Sequence, residues 1–220
     1  IPYTHSGVMA SALAMDKQRS KHIFSNSGLP TAPGFMIEKS GLLTSHPLDK
    51  PYVVKPINEG SSIGVYFVNP KEDPPLKVAS DMPSILMVEE YIPGRELTVT
   101  VMGKKALAVT DIITQNWYDY DAKYKKGGSI HEVPAKIPKI IQEKCLEYAL
   151  SAHELIGCRG ISRADFRWDE SLGLDGIILL EINTQPGMTP TSLVPEQAKI
   201  CGINFNDLCH WLVEDASCDR

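Results

Sequence analysis

Apolar positions recur with a helical period in some stretches of the chain and as short runs or two-residue alternations in others, and that contrast lays out its elements. "GVMASALAMDKQRSKHIFSNSG", preceded by Ser6 and stopped by Gly28, reads as one helix. Val8, Leu13, Ile23 and Phe24 sit there among good helix formers, with Lys17 one of four basic residues. From Pro51 the texture turns to β, in "PYVVKPI", "IGVYFV" and "SILMVEEYI", each rich in β-branched and aromatic residues. "RELTVTVMGKKALAVTDII" reads as a hairpin with Gly103-Lys104 at its tip. Gln115 to Pro134 loses periodicity and gains glycine and charge, which predicts a long mobile loop of the kind that is usually functional. Pro138 opens the strongest helical pattern, with Ile141, Cys145, Tyr148, Ala152, Leu155 and Ile156 on one stripe and Gly157 as its stop. Two strands follow, "GISRADFRW" and "DGIILLEIN", joined by the polar turn "DESLGLDG", and "NFNDLCHWLVED" predicts a final helix. Strands in runs with helices inserted predict an α+β architecture rather than regular βαβ winding.

The totals narrow the function classes. The chain has 220 residues, 43% hydrophobic and 22% charged, an ordinary globular composition long enough for one large domain or two small ones. A net charge of -5 argues against nucleic acid or an anionic membrane as the main partner, because no surplus of Lys and Arg is available to replace counterions. The five cysteines are odd in number and include no CxxC pair, so neither a disulfide framework nor a zinc site is predicted, and a reducing cytoplasm is the expected setting. No apolar run approaches the roughly 18 residues of a spanning helix. Ile rather than Met at the first position predicts a fragment or a processed form.

Candidate chemistry centres on "LLEINTQPGMTP". On a strand, Glu181 and Asn183 point one way while Leu180 and Ile182 point the other. Arg163 and Asp165 share a face of the preceding strand by the same rule, so Asp165 and Glu181 are expected to be cross-strand neighbours. Two carboxylates about 4 Å apart repel by roughly 4 kcal/mol at an effective dielectric of about 20, which a cation between them resolves. Asp, Glu and Asn oxygens suit magnesium or manganese, and carboxylate-held magnesium usually brings a nucleotide phosphate. The bland alternative is a strand end whose acid pairs with a lysine or caps a turn.

Phosphates also need positive charge. Lys55, inside the apolar run "YVVKPI", is hard to bury without an anionic partner, and Lys17 and Lys123 are further candidates, each with a solvated or snorkelling lysine as the alternative. "NEGSSIG" could close over phosphates with backbone amides and hydroxyls, though an ordinary turn looks the same. Neither GxxxxGK[ST] nor GxGxxG occurs, so nucleotide would be bound by another route. In "MVEEYIPGRE", Glu89 and Glu96 could accept from an exocyclic amine and ribose hydroxyls, or simply be solvated acids of an edge strand. The six histidines show no HxxxH or HExxH spacing, and no GxSxG elbow invites a covalent mechanism.

Taken together and in order, "YTHSGVMASALAMDKQRSK", "VVKPINEGSSIGV", "VEEYIPGRELTV", "YDYDAKY", "ISRADFRW" and "LLEINTQPGMTPTSLVP" resemble the D-alanine:D-alanine ligases of the ATP-grasp superfamily across nearly the whole chain. The resemblance implies an ATP-grasp fold, two α+β subdomains gripping ATP between antiparallel sheets. Residues 1–20 would lead in, 21–93 form the central subdomain and 94–220 the C-terminal one, with metal and substrate sites. It implies that Lys17, Lys55 and Lys123 contact phosphates with a backbone donor at Ser62. Glu89, the main chain of Glu90 and Ile92, and Glu96 would hold adenine and ribose, with Val53, Tyr91, Trp117 and Leu180 as walls. Asp165, Glu181 and Asn183 match ligands of two Mg2+ ions, for which Mn2+ can substitute. Arg163 and the Gly187 amide match an oxyanion-stabilising pair, Ser192 and Leu193 the pocket for the second D-alanine, and Ser61 and Tyr124 a link that orders the mobile loop.

The implied reaction joins two D-alanines through an acyl phosphate, for peptidoglycan precursor synthesis in the cytoplasm. A homodimer is what the family suggests. Family members begin with a further α/β domain that contributes to the first D-alanine site, and this chain starts just beyond it, so the expectation is nucleotide binding with impaired ligation. Gln185 stands where many relatives carry serine. A nucleotide-binding module without ligase activity, a different ATP-grasp carboxylate-amine ligase and a magnesium-dependent phosphohydrolase are the competing readings.

Overall fold

Residues 1–61, 63–114 and 129–218 are described by a computed structural model of the chain. Trp117, Lys123, Tyr124 and Ser62, named above as candidates, lie outside the described residues. Contacts divide the chain into two units: Ile1–Thr31 with Pro93–Ile113 and the residues from Ile130 onward, and Ala32–Ile92 with Thr114 and Ser129. Residues 21–31, assigned from sequence to the central subdomain, group with the first unit because Phe24 and Leu29 are buried in its core.

In the first unit, Val8–Met15 (α1) and Lys17–Asn26 (α2) are two helices where the pattern predicts one. Asp16 is the break: its backbone is extended and its carboxylate accepts from the Arg19 N–H at 3.0 Å, so it caps α2 instead of continuing α1. Ser6 does not cap α1, a position held by Gly7. Its hydroxyl instead lies 3.1 Å from both the N–H and the C=O of Arg159, pinning this stretch to the segment just before Ile161. Val8 is exposed, and Ala10 and Ala14 are the residues α1 buries.

Arg95–Met102 (β5) and Lys105–Ile113 (β6) form the expected hairpin, with Gly103 at positive φ in the tip. Ile130–Glu132 (β7) pairs with β6, giving structure to part of the stretch predicted as loop. The helix after Pro138 is Lys139–Ile156 (α3), ended by Gly157 in the left-handed conformation. Its buried stripe is Ile141, Cys145, Ala149, Ala152, His153 and Ile156, whereas Leu155, expected on that stripe, is exposed. Ile161–Trp168 (β8) and Ile177–Asn183 (β9) follow, with a 3-10 segment, Glu170–Gly176, between them. Leu193–Ile200 (α4), which the pattern does not reveal, and Phe205–Asp215 (α5) complete the unit.

Its five strands are all antiparallel in the order β7-β6-β5-β8-β9. Leu97, Val99, Val101, Ala164, Phe166, Ile177, Leu179 and Ile182 pack against the buried stripes of α1, α2 and α3 as the main core. At roughly 25 cal/mol per Å² of apolar surface removed from water, burial of this layer stabilises the unit. A smaller cluster of Leu107, Ile161, Val194, Ala198 and Leu208 joins α4 and α5 to the sheet.

The second unit is a four-stranded antiparallel sheet in the order β1-β4-β2-β3, built from Gly34–Glu38 (β1), Tyr52–Lys55 (β2), Tyr66–Val68 (β3) and Ile85–Glu90 (β4). β1 is the strand the sequence pattern misses. Leu42, Tyr52, Val54, Val68, Leu86 and Val88 form its core. The α+β expectation therefore holds for the chain as a whole, with the α-helices of the described residues all in the first unit.

Candidate functional site

Strands β8 and β9 bring the predicted acids together. Asp165 lies directly opposite Glu181, and Arg163 opposite Asn183. Alternation along β8 explains why these side chains avoid the core: Ala164 and Phe166 are buried in the main cluster, so Arg163 and Asp165 take the other face. One detail departs from the simple period. The register shifts between Asp165 and Phe166, where Phe166 pairs with Leu179, leaving Leu180 as the extra residue of a bulge. Leu179 and Ile182 are the core residues, and Leu180, expected to point with Ile182, is only half-buried.

Charge in this cluster is balanced within the chain. Arg163 grips Asp165 with two parallel bonds, Nε to Oδ1 at 2.8 Å and Nη2 to Oδ2 at 2.7 Å. Thr98 Oγ1 donates to Asp165 Oδ1 at 2.6 Å, and Asn183 Nδ2 donates to Oδ2 at 3.0 Å. Asp165, 8% exposed, thus accepts four bonds, about the capacity of a carboxylate. Lys17, first residue of α2, places Nζ 3.5 Å from Glu181 Oε2. The expected repulsion between the two acids is met here by one basic side chain on each.

Among the described residues no three His, Cys, Asp or Glu side chains converge as a metal site. The donor set is instead two carboxylates and the Asn183 amide, hard oxygen ligands of the kind magnesium takes. Their chemistry fits that ion once Asn183 turns its Oδ1 inward and a basic group yields its place on the acids.

After β9 the chain turns through "TQPGMTPT" into α4. An ideal Cβ on Gly187 would stand 2.9 Å from Ser192 Oγ, so the two residues are in contact and only glycine fits unaltered. Ser192 Oγ accepts from the Thr189 N–H at 3.0 Å and lies 2.8 Å from Thr189 Oγ1, and Ser192 N–H donates to the Thr189 carbonyl at 2.8 Å. Leu193 is buried at the first position of α4. Gly187, Ser192 and Leu193 thus form one tight structure. Glu196 on α4 meets His131 of β7, with Oε2 2.8 Å from Nδ1.

Glu96, on β5, lies opposite Arg167, and its Oε2 is 3.7 Å from Arg167 Nη1. In the second unit, Lys55 and Glu89 are both buried and form an ion pair with each other, which supplies the anionic partner that Lys55 was expected to need. Glu90 pairs with Lys50, and its N–H donates to the Pro33 carbonyl at 2.9 Å, so a main-chain contact to a ligand from Glu90 would come from its carbonyl. Ile92 follows β4, half-buried. Ser61 has φ +55, the left-handed region that a serine rarely occupies, beside Ser62 in the Gly- and Ser-rich loop. Its expected partner Tyr124 lies outside the described residues.

Two residues at the site went unread in the sequence. Thr98 sits directly opposite Asp165, and Gln197 of α4 is fully buried against the same strand. The alternation of "ELTVTV" puts Thr98 on the polar face, which was the available signal. Gln197 had none, since α4 itself was not recognised.

Comparison with known proteins bears on this geometry. A sequence profile described as the D-ala D-ala ligase C-terminus matches residues 23–214. A D-alanine–D-alanine ligase of Cereibacter sphaeroides is 62% identical over 220 residues, covering all of this chain and 72% of that protein. One from a Ruegeria species is 60% identical with the same coverage. The crystal structure of the Bacillus anthracis D-alanine–D-alanine ligase superposes on 98% of this chain and 71% of its own, with a TM-score of 0.76 and 28% identity. The same enzyme complexed with ATP gives a TM-score of 0.76 at 26% identity.

Proposed function

Because the chain belongs to the D-alanine–D-alanine ligase family, we propose that it carries the ATP and metal machinery for joining two D-alanines through an acyl phosphate. The observation that carries this reading is the facing pair Asp165 and Glu181, with Asn183, Arg163 and Lys17 bonded around it. Bound Mg2+, held by Asp165, Glu181 and Asn183, would neutralise the phosphates of ATP during phosphoryl transfer to the first D-alanine carboxylate.

The chain's own groups divide the remaining work. Lys17, balanced by Glu181 in this structure, turns to phosphate as the acids take up metal. Lys55 and Lys123 are assigned to phosphate as well, with a backbone donor from Ser62. Glu89, the carbonyl of Glu90 and the main chain of Ile92 receive adenine, Glu96 receives ribose, and Trp117 and Leu180 flank them. Arg163, released from Asp165, and the Gly187 amide stabilise the oxyanion that forms when the second D-alanine's amine attacks the acyl phosphate. Ser192 and Leu193 hold that second substrate, and Ser61 with Tyr124 orders the segment that excludes water from the acyl phosphate. A cytoplasmic setting and a homodimer complete the proposal. Among the described residues no helix is long and apolar enough to cross a membrane, and light scattering on the purified protein reads the dimer.

The test uses this chain and a hybrid joining it to the portion of the Cereibacter sphaeroides relative that it does not cover. ATP with Mg2+ should bind to both, and D-alanine but not L-alanine should accelerate phosphate release by the hybrid. Asp165→Asn should abolish that release. Nucleotide binding with no response to D-alanine would leave only a binding module, and unaltered release by Asp165→Asn would overturn the metal assignment.

A further inference from the structure

Resting on the magnesium reading above, we infer that Thr98 is a positioning residue for the metal-binding carboxylate of Asp165, and that Gln197 locks Thr98 in place. Thr98 has no exposed surface, and its hydroxyl has one proton with two acceptors in reach: Asp165 Oδ1 at 2.6 Å and the Ala164 carbonyl at 3.3 Å. The proton goes to the nearer, charged oxygen. Oδ1 is thereby held from the β5 side, while Oδ2 carries Arg163 Nη2 and the Nδ2 of Asn183, itself a candidate ligand. Arg163 Nε also donates to Oδ1 at 2.8 Å, so each oxygen accepts two bonds; with Arg163 released and Asn183 turned as the magnesium reading requires, Oδ2 is cleared for a cation while Thr98 stays on Oδ1.

Gln197 makes this arrangement rigid. The pairing of β5 with β6 shifts register between Val99 and Val101, and at such an irregularity a main-chain group loses its ladder partner. Thr100 N–H donates to Gln197 Oε1 at 2.7 Å, and Gln197 Nε2 donates to the Thr98 carbonyl at 3.2 Å and to Thr110 Oγ1 at 3.0 Å. The fully buried amide thus gives the Thr100 N–H a partner beside the bulge and bridges Thr98 of β5 to Thr110 of β6. Because Gln197 lies on the helix led by Ser192 and Leu193, one continuous polar chain references that end of α4 and Asp165 to the same residue.

A merely structural threonine would affect stability alone; a positioning threonine sets metal affinity. The experiment titrates Mn2+ onto the chain, alone and with the non-hydrolysable ATP analogue AMPPNP, following free Mn2+ by electron paramagnetic resonance, with circular dichroism as the check of fold. Thr98→Val, which removes the hydroxyl and keeps the shape, should bind Mn2+ about 10- to 100-fold more weakly, the usual effect of removing a group that orients a metal ligand. Thr98→Ser, which keeps the hydroxyl, should bind like the parent. Equal affinity of the two variants overturns the inference. If the parent itself binds no Mn2+ with or without AMPPNP, the magnesium reading falls and this inference with it. Should Thr98→Val not fold, Thr98→Ala against Thr98→Ser differs by the hydroxyl alone, and the same criterion applies.

Discussion

Replacing Gly187 by alanine tests the turn between β9 and α4 at atomic scale. The new Cβ would stand 2.9 Å from Ser192 Oγ, while ordinary contact begins near 3.4 Å, so Ser192 Oγ must retreat by about 0.5 Å. That hydroxyl is held by the Thr189 N–H at 3.0 Å and by Thr189 Oγ1 at 2.8 Å, and a retreat of this size stretches both contacts beyond good geometry. With about 0.5–1.5 kcal/mol for each of the two neutral hydrogen bonds, Gly187→Ala should cost about 1–3 kcal/mol of unfolding free energy. Ser192→Ala removes the same bonds, and its Cβ would lie an ordinary 3.5 Å from the new methyl. The double variant should therefore be no less stable than Ser192→Ala, a non-additivity equal to the whole Gly187→Ala cost, about 1–3 kcal/mol, measured by urea unfolding of all four proteins. In the hybrid, Gly187→Ala should also lower kcat for D-alanine-dependent phosphate release, because the proposed oxyanion amide moves with the turn. Strict additivity in unfolding, with catalysis unaltered, would refute the contact and the role built on it.

Other regions give equally direct outcomes. Lys55→Met should destabilise the second unit by about 3 kcal/mol, because the buried Glu89 carboxylate loses the compensating charge of Lys55, and Lys55→Met with Glu89→Leu should recover most of that in chemical denaturation. Gly94 has φ +93 and a Cβ there would meet the Trp168 carbonyl at 2.1 Å, so Gly94→Ala should lower stability by about 3 kcal/mol or more in the same assay, and wild-type stability would contradict the geometry. Burial pushes the His153 imidazole down to about 4, against about 6.5 when unfolded. Below pH 6.5 the unfolded chain binds a proton that the folded chain refuses, so stability should fall as pH drops from about 6.5 to 4, by about 3 kcal/mol, and should be unaffected by this group above that window. His153→Gln should flatten the fall in urea midpoints measured from pH 7.5 to 4.5.

The strand pair that carries Asp165 and Glu181 was legible because alternation is local: each residue's face follows from its neighbours, and a short polar turn supplies the pairing. Pro138 and Gly157 punctuated α3 just as plainly. The bulge at Leu180 was not legible, since no glycine marks it and only the partner strand reveals the extra residue. β1 is five residues long without alternation, and α4 contains Pro195 amid a mixed run, so neither rises above its surroundings. Asp16 was read as one polar residue on a helix because extended and helical backbones at an Asp look alike until the cap bond to Arg19 is seen. The link from Gln197 to Thr98 spans 99 positions, and no local pattern announces a contact of that range.

The division of the chain also sets an order on its synthesis. The four strands of the second unit are contiguous within Gly34–Glu90 and can pair as soon as that stretch has left the ribosome. Phe24 and Ala14, made earlier, belong to a core whose other members extend to Ile182, so α1 and α2 must wait through more than half the chain for the surface they cover. Until β9 emerges, the apolar faces of α1 and α2 are in the solvent, and the nascent chain is most exposed to misassociation during that interval.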